Sequence, residues 1–329
     1  MGIPRNAAKG NRVLFAVSAT FTCKEKLMAW KFMVFCALAG LFGCLSATVA
    51  RAADAVAPAV YTVGKAKVTA IQDIASDRDI SVFRGMSEEE LRKIAPKGSV
   101  PSSATVFLVQ YADQAILLDT GYGRKDSNLL PALKGLGLGP DDITAVVITH
   151  MHGDHIGGLL LPEGGIAFPK ARIFIAEPEI AFWTNQEHIK QYPHRERNFV
   201  LAKSVADAYG AKIATFTPGT KVLAFDSLFA PGHTPGHTVF TLASDNQRML
   251  FVADIVHGAA IQFPNPKVSV TYDLDMDEAA KSRIMVIEKA LAESLPIAGT
   301  HHPFPSVGVV AKGSGAEAYT YATIQPGAQ

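Results

Sequence analysis

The run Ala145-Val146-Val147-Ile148-Thr149, followed without a break by His150-Met151-His152-Gly153-Asp154-His155, constrains this chain more than any other stretch. Five apolar or β-branched residues have the length and character of a buried strand, so the histidines stand where that strand leaves a sheet and becomes a loop. Residues two apart at an extended strand end point the same way, which lets His150 and His152 close on one metal ion. Gly153 opens a turn, and Asp154 and His155 on it can face a second ion. Ten histidines in 329 residues rarely crowd in this way beside a carboxylate.

The rest of the chain repeats the pattern. Tyr61-Thr62-Val63 and Lys67 to Ile71, with Gly64 between them, predict an opening hairpin, and Ser87 followed by three glutamates predicts an N-capped helix that Pro96 ends. Thr105 to Val109 and Ala115 to Leu118 predict a second hairpin finishing at Asp119, with a helix from about Ser127 to Leu136 after it. Residues 177–209 read as mostly helical. Strands are expected near Ile213 to Phe216, Lys221 to Ala224, Thr238 to Leu242 and Met249 to Ala253, then a long helix over about Asp277 to Leu295 and a strand from Pro296 to Thr300. This order predicts an α/β fold of two sheets packed face to face with helices outside. Asp254 and His301 stand at the C-terminal ends of two of these strands, and His233 lies in the turn Gly232-His233-Thr234-Pro235-Gly236-His237. His302 is the rival to His301 at its strand end. Imidazole and carboxylate donors together suit zinc and also admit Mn, Fe, Co or Ni.

The first 52 residues stand apart. Lys31, the apolar run from Phe32 to Phe42 and the small-residue site Ala50-Arg51-Ala52 predict a secretory signal peptide over residues 1–52, with Met28 a plausible true start. The mature chain, residues 53–329, is then a single domain without cysteine, because Cys23, Cys36 and Cys44 all precede it. Removing seven of the 31 basic residues and one of the 30 acidic residues leaves it at net −5. That charge argues against nucleic acid or an anionic membrane as partner. An exported protein, periplasmic or secreted, with no stable membrane anchor is expected, and a homodimer is compatible with it.

Taken together, His150-x-His152-x-Asp154-His155, the Gly232 to His237 turn, Asp254 and His301 resemble the dinuclear members of the metallo-β-lactamase fold superfamily, over nearly the whole mature chain. The resemblance implies a four-layer αβ/βα sandwich with two divalent metal ions. One ion would be held by His150, His152 and His233, the other by Asp154, His155 and His301, with Asp254 bridging them. His237 would then lie outside the ligand set. Within the superfamily, Gly157-Gly158-Leu159, Ala167-Phe168-Pro169, Phe182-Trp183, Ile261-Gln262-Phe263 and His302-Pro303-Phe304-Pro305 resemble the exported methyl parathion hydrolase type. Departures fall near the expected substrate: Gly153 stands where that group tends to have Pro, the loop after Asp119-Thr120-Gly121 is shorter, and Tyr122 and Arg124 replace apolar residues.

What the resemblance implies chemically is an ester-cleaving hydrolase acting on a small molecule. Two divalent ions about 3.5 to 4 Å apart lower the pKa of a shared water and polarise the substrate oxygen. Asp154 is expected to orient the attacking hydroxide and carry its proton towards the leaving group. Asp119 is read as a strand-end carboxylate that orients a ligand imidazole or a loop amide. His257 stands three residues after Asp254, where quorum-quenching lactonases of this fold carry a Tyr, and is expected to donate to a developing oxyanion or protonate a leaving alkoxide. Tyr122, Phe182, Trp183, Phe199 and Phe263 are the candidate substrate contacts, the four last forming an apolar leaving-group pocket. His188, His194, Lys190, Arg195 and Arg197 read as solvated surface. Lactones and carboxylic esters rank first as substrates, phosphotriesters second, and a periplasmic metal- or ligand-binding protein without turnover is the alternative outside enzymology.

Overall fold

Strand residues alternate between two faces, and most strands of this chain are apolar on both, so each strand feeds two cores. The computed structural model describes residues 56–315 and 318–327; the predicted signal peptide, with Met28 and all three cysteines, lies outside the described residues. In chain order the first eight strands are β1 (Ala59–Val63), β2 (Ala66–Asp79), β3 (Phe83–Arg84), β4 (Ser99–Tyr111), β5 (Gln114–Leu118), β6 (Ala145–Val147), β7 (Arg172–Ala176) and β8 (Ile213–Phe216). The next eight are β9 (Lys221–Val222), β10 (Phe225–Phe229), β11 (Thr238–Ser244), β12 (Gln247–Phe251), β13 (Ser269–Val270), β14 (Ile297–Ala298), β15 (Val307–Lys312) and β16 (Tyr319–Thr323). The helices are α1 (Glu88–Ile94), α2 (Leu129–Gly135), α3 (Gly153–Ile156), α4 (Glu177–Thr184), α5 (Glu196–Tyr209), α6 (Ala259–Gln262) and α7 (Met276–Ala292).

Two seven-stranded sheets result, ordered β1-β2-β4-β5-β6-β7-β8 and β16-β15-β14-β12-β11-β10-β9. Between them Phe107, Val109, Ile116, Leu118 and Val147 of the first sheet meet Phe225, Phe240 and Phe251 of the second. On the outer face of the first sheet, Val106, Leu108, Leu117 and Val146 pack against Leu133, Trp183, Phe199 and Val205 of α2, α4 and α5. On the outer face of the second, Val239, Leu250 and Val252 meet Val286, Ile287 and Ala290 of α7. The layers are therefore helix, sheet, sheet, helix. Each fully buried Leu or Phe contributes about 2 kcal/mol by leaving water, so it is this two-sided burial that holds the sheets at fixed spacing.

Strand direction places the site. β5, β6, β7 and β8 run parallel, as do β12 and β14. Their C-terminal ends release Asp119, His150, Asp254 and His301 towards one rim. A bulge in β2 at Asp73 adds a brace there: register slips between Gln72 and Ile74, and the Asp73 carboxylate accepts from the Tyr122 and Leu129 amides and the Ser127 hydroxyl. The bulge thus re-aims one acid to hold the loop after β5. Gly121 in that loop has φ 70°, and a Cβ there would stand 2.4 Å from Asp73 Oδ2, so only glycine fits.

Several boundaries differ from expectation. The capping box at Ser87 and Glu90 forms as the sequence implies. The strand expected over Lys221 to Ala224 stops at Val222, because Leu223 turns to φ 52°. Residues 177–209 divide into α4 and α5, separated by two short 3-10 turns at Gln186–Lys190 and Pro193–Arg195.

One buried cation ties α7 to the site. Arg283, fully buried, donates to the carbonyls of Ile255, Pro266 and Val268 at 2.7 to 2.9 Å. Arg283→Met should lower the unfolding free energy by about 3 kcal/mol, since buried carbonyls lose their only charged donor. Chemical denaturation checks this, and an unshifted midpoint would contradict it.

Candidate metal centre

Seven side chains from three strand ends and one turn meet in a single buried cluster. His150 Nε2 lies 3.1 Å from His152 Nδ1, which lies 2.9 Å from His233 Nε2. Asp254 is at the centre: His155 Nε2 is 3.0 Å from its Oδ1, while its Oδ2 is 3.1 Å from His301 Nε2, 3.3 Å from His233 Nε2 and 3.7 Å from His150 Nε2. Asp154 Oδ2 reaches His301 Nε2 at 3.3 Å. Two groupings of converging donors follow, His150, His152, His233 and Asp254 on one side and Asp154, His155 and His301 on the other. The outer nitrogens are committed elsewhere. His155 Nδ1 donates to Asp119 Oδ2 at 2.7 Å, His233 Nδ1 to Asp273 Oδ1 at 2.8 Å and His301 Nδ1 to the Ser103 carbonyl at 2.7 Å. Their Nε2 lone pairs must therefore face inward.

Those constraints test whether divalent ions fit. One proton can bridge only one pair of the three imidazole nitrogens of His150, His152 and His233, yet all three converge. His155 Nε2 and Asp254 Oδ1, though 3.0 Å apart, are not aligned to hydrogen-bond with each other and have no other hydrogen-bond partner. Hard and borderline cations satisfy such lone pairs, and imidazole with carboxylate is a donor set of the zinc kind. The residues present fit two divalent metal ions.

Charge within the cluster follows from burial and neighbours. Burial, then the adjacent imidazoles, holds His150 and His152 well below the ordinary histidine range, so both are neutral donors. Burial also opposes protonation of His155, His233 and His301, but the carboxylates facing them outweigh it and raise all three, His233 to about 9. Desolvation opposes ionisation of Asp254 and of the less deeply set Asp154, and the imidazoles around them nonetheless keep both carboxyls well below the usual range.

The backbone is bent to suit. Ala253 adopts φ 47° and Asp119 φ 62°, left-handed conformations that cost non-glycine residues of order 1 to 3 kcal/mol and that here turn the next side chains inward. Asp119 holds the Thr149 amide and hydroxyl as well as His155. His237 stays out of the cluster: its Nδ1 donates to the Ala230 carbonyl at 3.1 Å and its Nε2 accepts from the Asp254 amide at 3.3 Å. Glu179 does the widest stitching. Fully buried, it accepts from the Met151 amide, the Trp183 indole, the Thr234 hydroxyl and the Gly236 amide at 2.6 to 2.8 Å, joining both histidine-bearing loops.

Beside the cluster lies a cavity of about 470 Å³. Of the seven, Asp154 alone is not fully buried, with 19% of its side chain exposed. Tyr122 lines the cavity as expected of a substrate contact, and His257 lines it too. His257 Nε2, however, is 3.1 Å from Asp254 Oδ2, and burial pushes its pKa down to about 3. In this arrangement Nε2 of His257 faces the central carboxylate and its Nδ1 is buried without a hydrogen-bond partner. The expected aromatic pocket is corrected as well. Trp183 and Phe199 are fully buried in the α4 and α5 core, Phe182 packs against both, and Phe263 stacks on Tyr321 at 5.0 Å under the second sheet. None of the four lines the cavity. His302, the alternative to His301, packs edge-on against Phe263 and Tyr321 and is in neither donor group of the cluster.

Arginines occupy the wall instead: Arg78, Arg124, Arg195 and Arg197, with Tyr272 among them. Arg195, expected on the surface, is half-buried, because the turn at Pro193 swings it back to donate to the Thr271 carbonyl at 2.8 Å. Sequence reasoning missed it, together with Arg78, Glu179, Asp273 and Asp73. Only the proline after Tyr192 and the acid inside a β-branched run at Asp73 signalled anything.

The family model described as the metallo-beta-lactamase superfamily matches residues 100–301. Among curated proteins, the chain is 39% identical to metallo-beta-lactamase domain-containing protein 1 of Mus musculus over 84 residues, covering 25% of this chain and 32% of that protein. It is 30% identical to the N-acyl homoserine lactonase AiiB of Agrobacterium fabrum over 119 residues, covering 28% and 40%. The chain thus spans about a third of the length of the curated relatives it matches. Two solved structures cover 82% of this chain and 98% of their own: the hydrolase AbOPH, at 25% identity and TM-score 0.75, and the dizinc quorum-quenching lactonase AidC, at 26% and 0.76.

Protonation and metal compete for the same nitrogens. With His233 holding a proton up to about pH 9 in the metal-free protein, loading must displace it, so apparent metal affinity should rise with pH up to that value. At pH 7 binding should release about one proton or more per chain, measured by calorimetry in buffers of different ionisation enthalpy. Zero release or net uptake would contradict this.

Proposed function

Because the chain belongs to the metallo-β-lactamase superfamily, we propose that it is a dinuclear metal-dependent hydrolase of an ester-like bond, with lactones or carboxylic esters as its substrate class. The observation that carries the reading is the convergence of His150, His152, Asp154, His155, His233, Asp254 and His301 beside an open cavity. In this reading His150, His152 and His233 hold one ion, Asp154, His155 and His301 the other, and Asp254 serves both. Zinc is the favoured metal, supported by the dizinc neighbour; Mn, Fe, Co or Ni suit the same donors. When bound, such ions acidify a water and polarise the substrate carbonyl.

The protein groups divide the remaining work. Asp154, the one cluster carboxylate open to the cavity, is placed to take a proton and pass it to the leaving group. Asp119, Asp273 and the Ser103 carbonyl fix the orientation of His155, His233 and His301, so the site is set before substrate arrives. Tyr122 lies where a substrate would rest. Lactone cleavage is favoured by two relatives whose names state that activity. Neutral aryl phosphotriesters rank below, since none of Phe182, Trp183, Phe199 and Phe263 lines the cavity, where arginines stand beside Tyr122 and Tyr272. Export belongs to the same proposal and rests on the pattern of residues 1–52; among the described residues no helix is long and apolar enough to cross a membrane.

The test starts from metal per chain, followed by hydrolysis of a lactone, an aryl ester and an aryl phosphotriester before and after chelation. Two metals and chelator-sensitive cleavage of the lactone or ester, restored by zinc, are expected, with His150→Ala losing at least about 100-fold. Two bound metals without chelator-sensitive cleavage would identify a metal- or ligand-binding protein, and a fastest phosphotriester would reverse the ranking. For His257→Phe, weaker metal retention in chelator competition is expected, with turnover unchanged at full loading. A fall in turnover at full loading would return His257 to a direct role.

A further inference from the structure

Three guanidinium groups face this cavity without a carboxylate partner. Arg78 donates to the Tyr272 hydroxyl at 3.5 Å, sits 5.4 Å from the centre of that ring, and brings Nη2 within 3.3 Å of His301 Nδ1. Since that His301 nitrogen donates to Ser103, Arg78 gains no acceptor from it. Arg195 has a single acceptor, the Thr271 carbonyl, and Nε of both arginines is buried without a partner. Arg197 is exposed on the cavity rim and makes no hydrogen bond or ion pair with any described residue. Arg124 differs, being neutralised by Asp126 at 2.6 Å. Among the described residues the acids lining the cavity are Asp154 and Asp254, and the close ionic contacts of both run to cluster histidines. Residues 53–329 are acidic as a whole, so this local excess of positive charge is not a reflection of composition.

A half-buried guanidinium with open donors is costly unless an anion completes it, and its planar fork matches a carboxylate with two parallel hydrogen bonds. We infer that Arg78, Arg195 and Arg197 form the binding site for a carboxylate carried by the substrate away from its scissile bond. This rests on the hydrolase reading for the bond cleaved, and adds that the acid chain of the ester ends in a negative charge. Arg78, beside His301, is placed to hold that group near the cluster; Arg195 and Arg197 draw it in from the rim. Tyr272 and Thr271 join the two buried arginines into one wall, which keeps them preorganised.

The experiment compares the 4-nitrophenyl monoester of glutarate with 4-nitrophenyl pentanoate, which match in length and differ by carboxylate against methyl. In the zinc-loaded protein the glutarate ester should show kcat/KM at least about tenfold higher, mostly through KM, with the advantage shrinking as salt rises. Arg195→Gln should erase most of that advantage of the glutarate over the pentanoate ester, and Arg195→Lys should keep part of it. Because Arg195 also braces Thr271, Arg197→Gln provides a variant with no structural bond to lose, and it should reduce the advantage as well. Binding of free glutarate against free pentanoate, followed by calorimetry, reads the site without turnover. Equal kcat/KM for the two esters, or an advantage untouched in both variants, overturns the inference and leaves the hydrolase reading standing. No cleavage of either ester, nor of the lactone and phosphotriester in the zinc-loaded protein, with glutarate binding tighter in an Arg195-dependent way, sinks the hydrolase reading and keeps the carboxylate site.

Discussion

The Asp254 carboxylate is the interaction on which the rest depends. It is buried, and the nitrogens of His150, His155, His233, His257 and His301 stand within 3.7 Å of it. Burying a lone carboxylate in a low-dielectric interior is prohibitive unless positive charge surrounds it, so the imidazoles are as much a requirement of Asp254 as it is of them. Those histidines come from four separated chain segments. The two sheets must therefore be closed on each other for the charge to be compensated at all, and the cluster is a property of the fold, absent from the unfolded chain. The strained φ at Ala253 that aims Asp254 inward is tolerated because so many partners hold the result in place.

A second tier of buried acids keeps that arrangement from relaxing. Asp119 ties the outer nitrogen of His155 to the Thr149 amide, and Asp273 ties that of His233 to the Val270 amide. Glu179 works between loops rather than within one, with four donors from residues 151, 183, 234 and 236 on a single carboxylate. Burial raises its pKa even against those bonds. Gly236 makes the approach feasible, since a Cβ there would stand 2.4 Å from the Glu179 amide. Trp183 belongs to this brace: its indole spends its one donor on Glu179 and its ring packs edge-on to His152 at 5.3 Å. A bulky aromatic beside a metal-type site is here a support for the site's walls.

What the sequence made legible follows from how local each signal is. His150 to His155 are contiguous, so strand-end geometry alone brings four donors to one rim, and the α/β layering follows from alternation and helical period over long segments. Asp254 and His301 needed only the ends of their strands. Glu179, Asp273, Arg78 and Arg195 were invisible for the opposite reason: each acts on a partner 28 or more residues away, and an isolated acid or arginine in a polar stretch looks like solvated surface. The aromatic residues misled because Phe182, Trp183 and Phe199 lie next to the site in sequence pattern yet face the core of the first sheet, a choice made by the rotation of α4 and α5 against β7. His257 misled more subtly. Its position three residues beyond Asp254 points it at the right cavity, but the nearest acceptor there is Asp254 itself.

Exchanging an aromatic wall for an arginine wall alters what the same cluster can select. An apolar pocket discriminates by area buried, which grows with each methylene and is indifferent to charge. Guanidinium groups discriminate by charge and planar geometry, and unpaired they repel a cationic or purely apolar substrate through the cost of drying their donors. The two divalent ions that the cluster's donors fit would add positive charge to the same cavity, where Asp154 and Asp254 are the only acids among the described residues. Electrostatics thus acts in one direction across the whole cavity. A neutral ester would leave Arg78 and Arg195 desolvated and unanswered, whereas an anionic one completes them, so the chemistry set by His150 to His155 and the selectivity set by Arg78 and Arg195 reside in separate layers of one site.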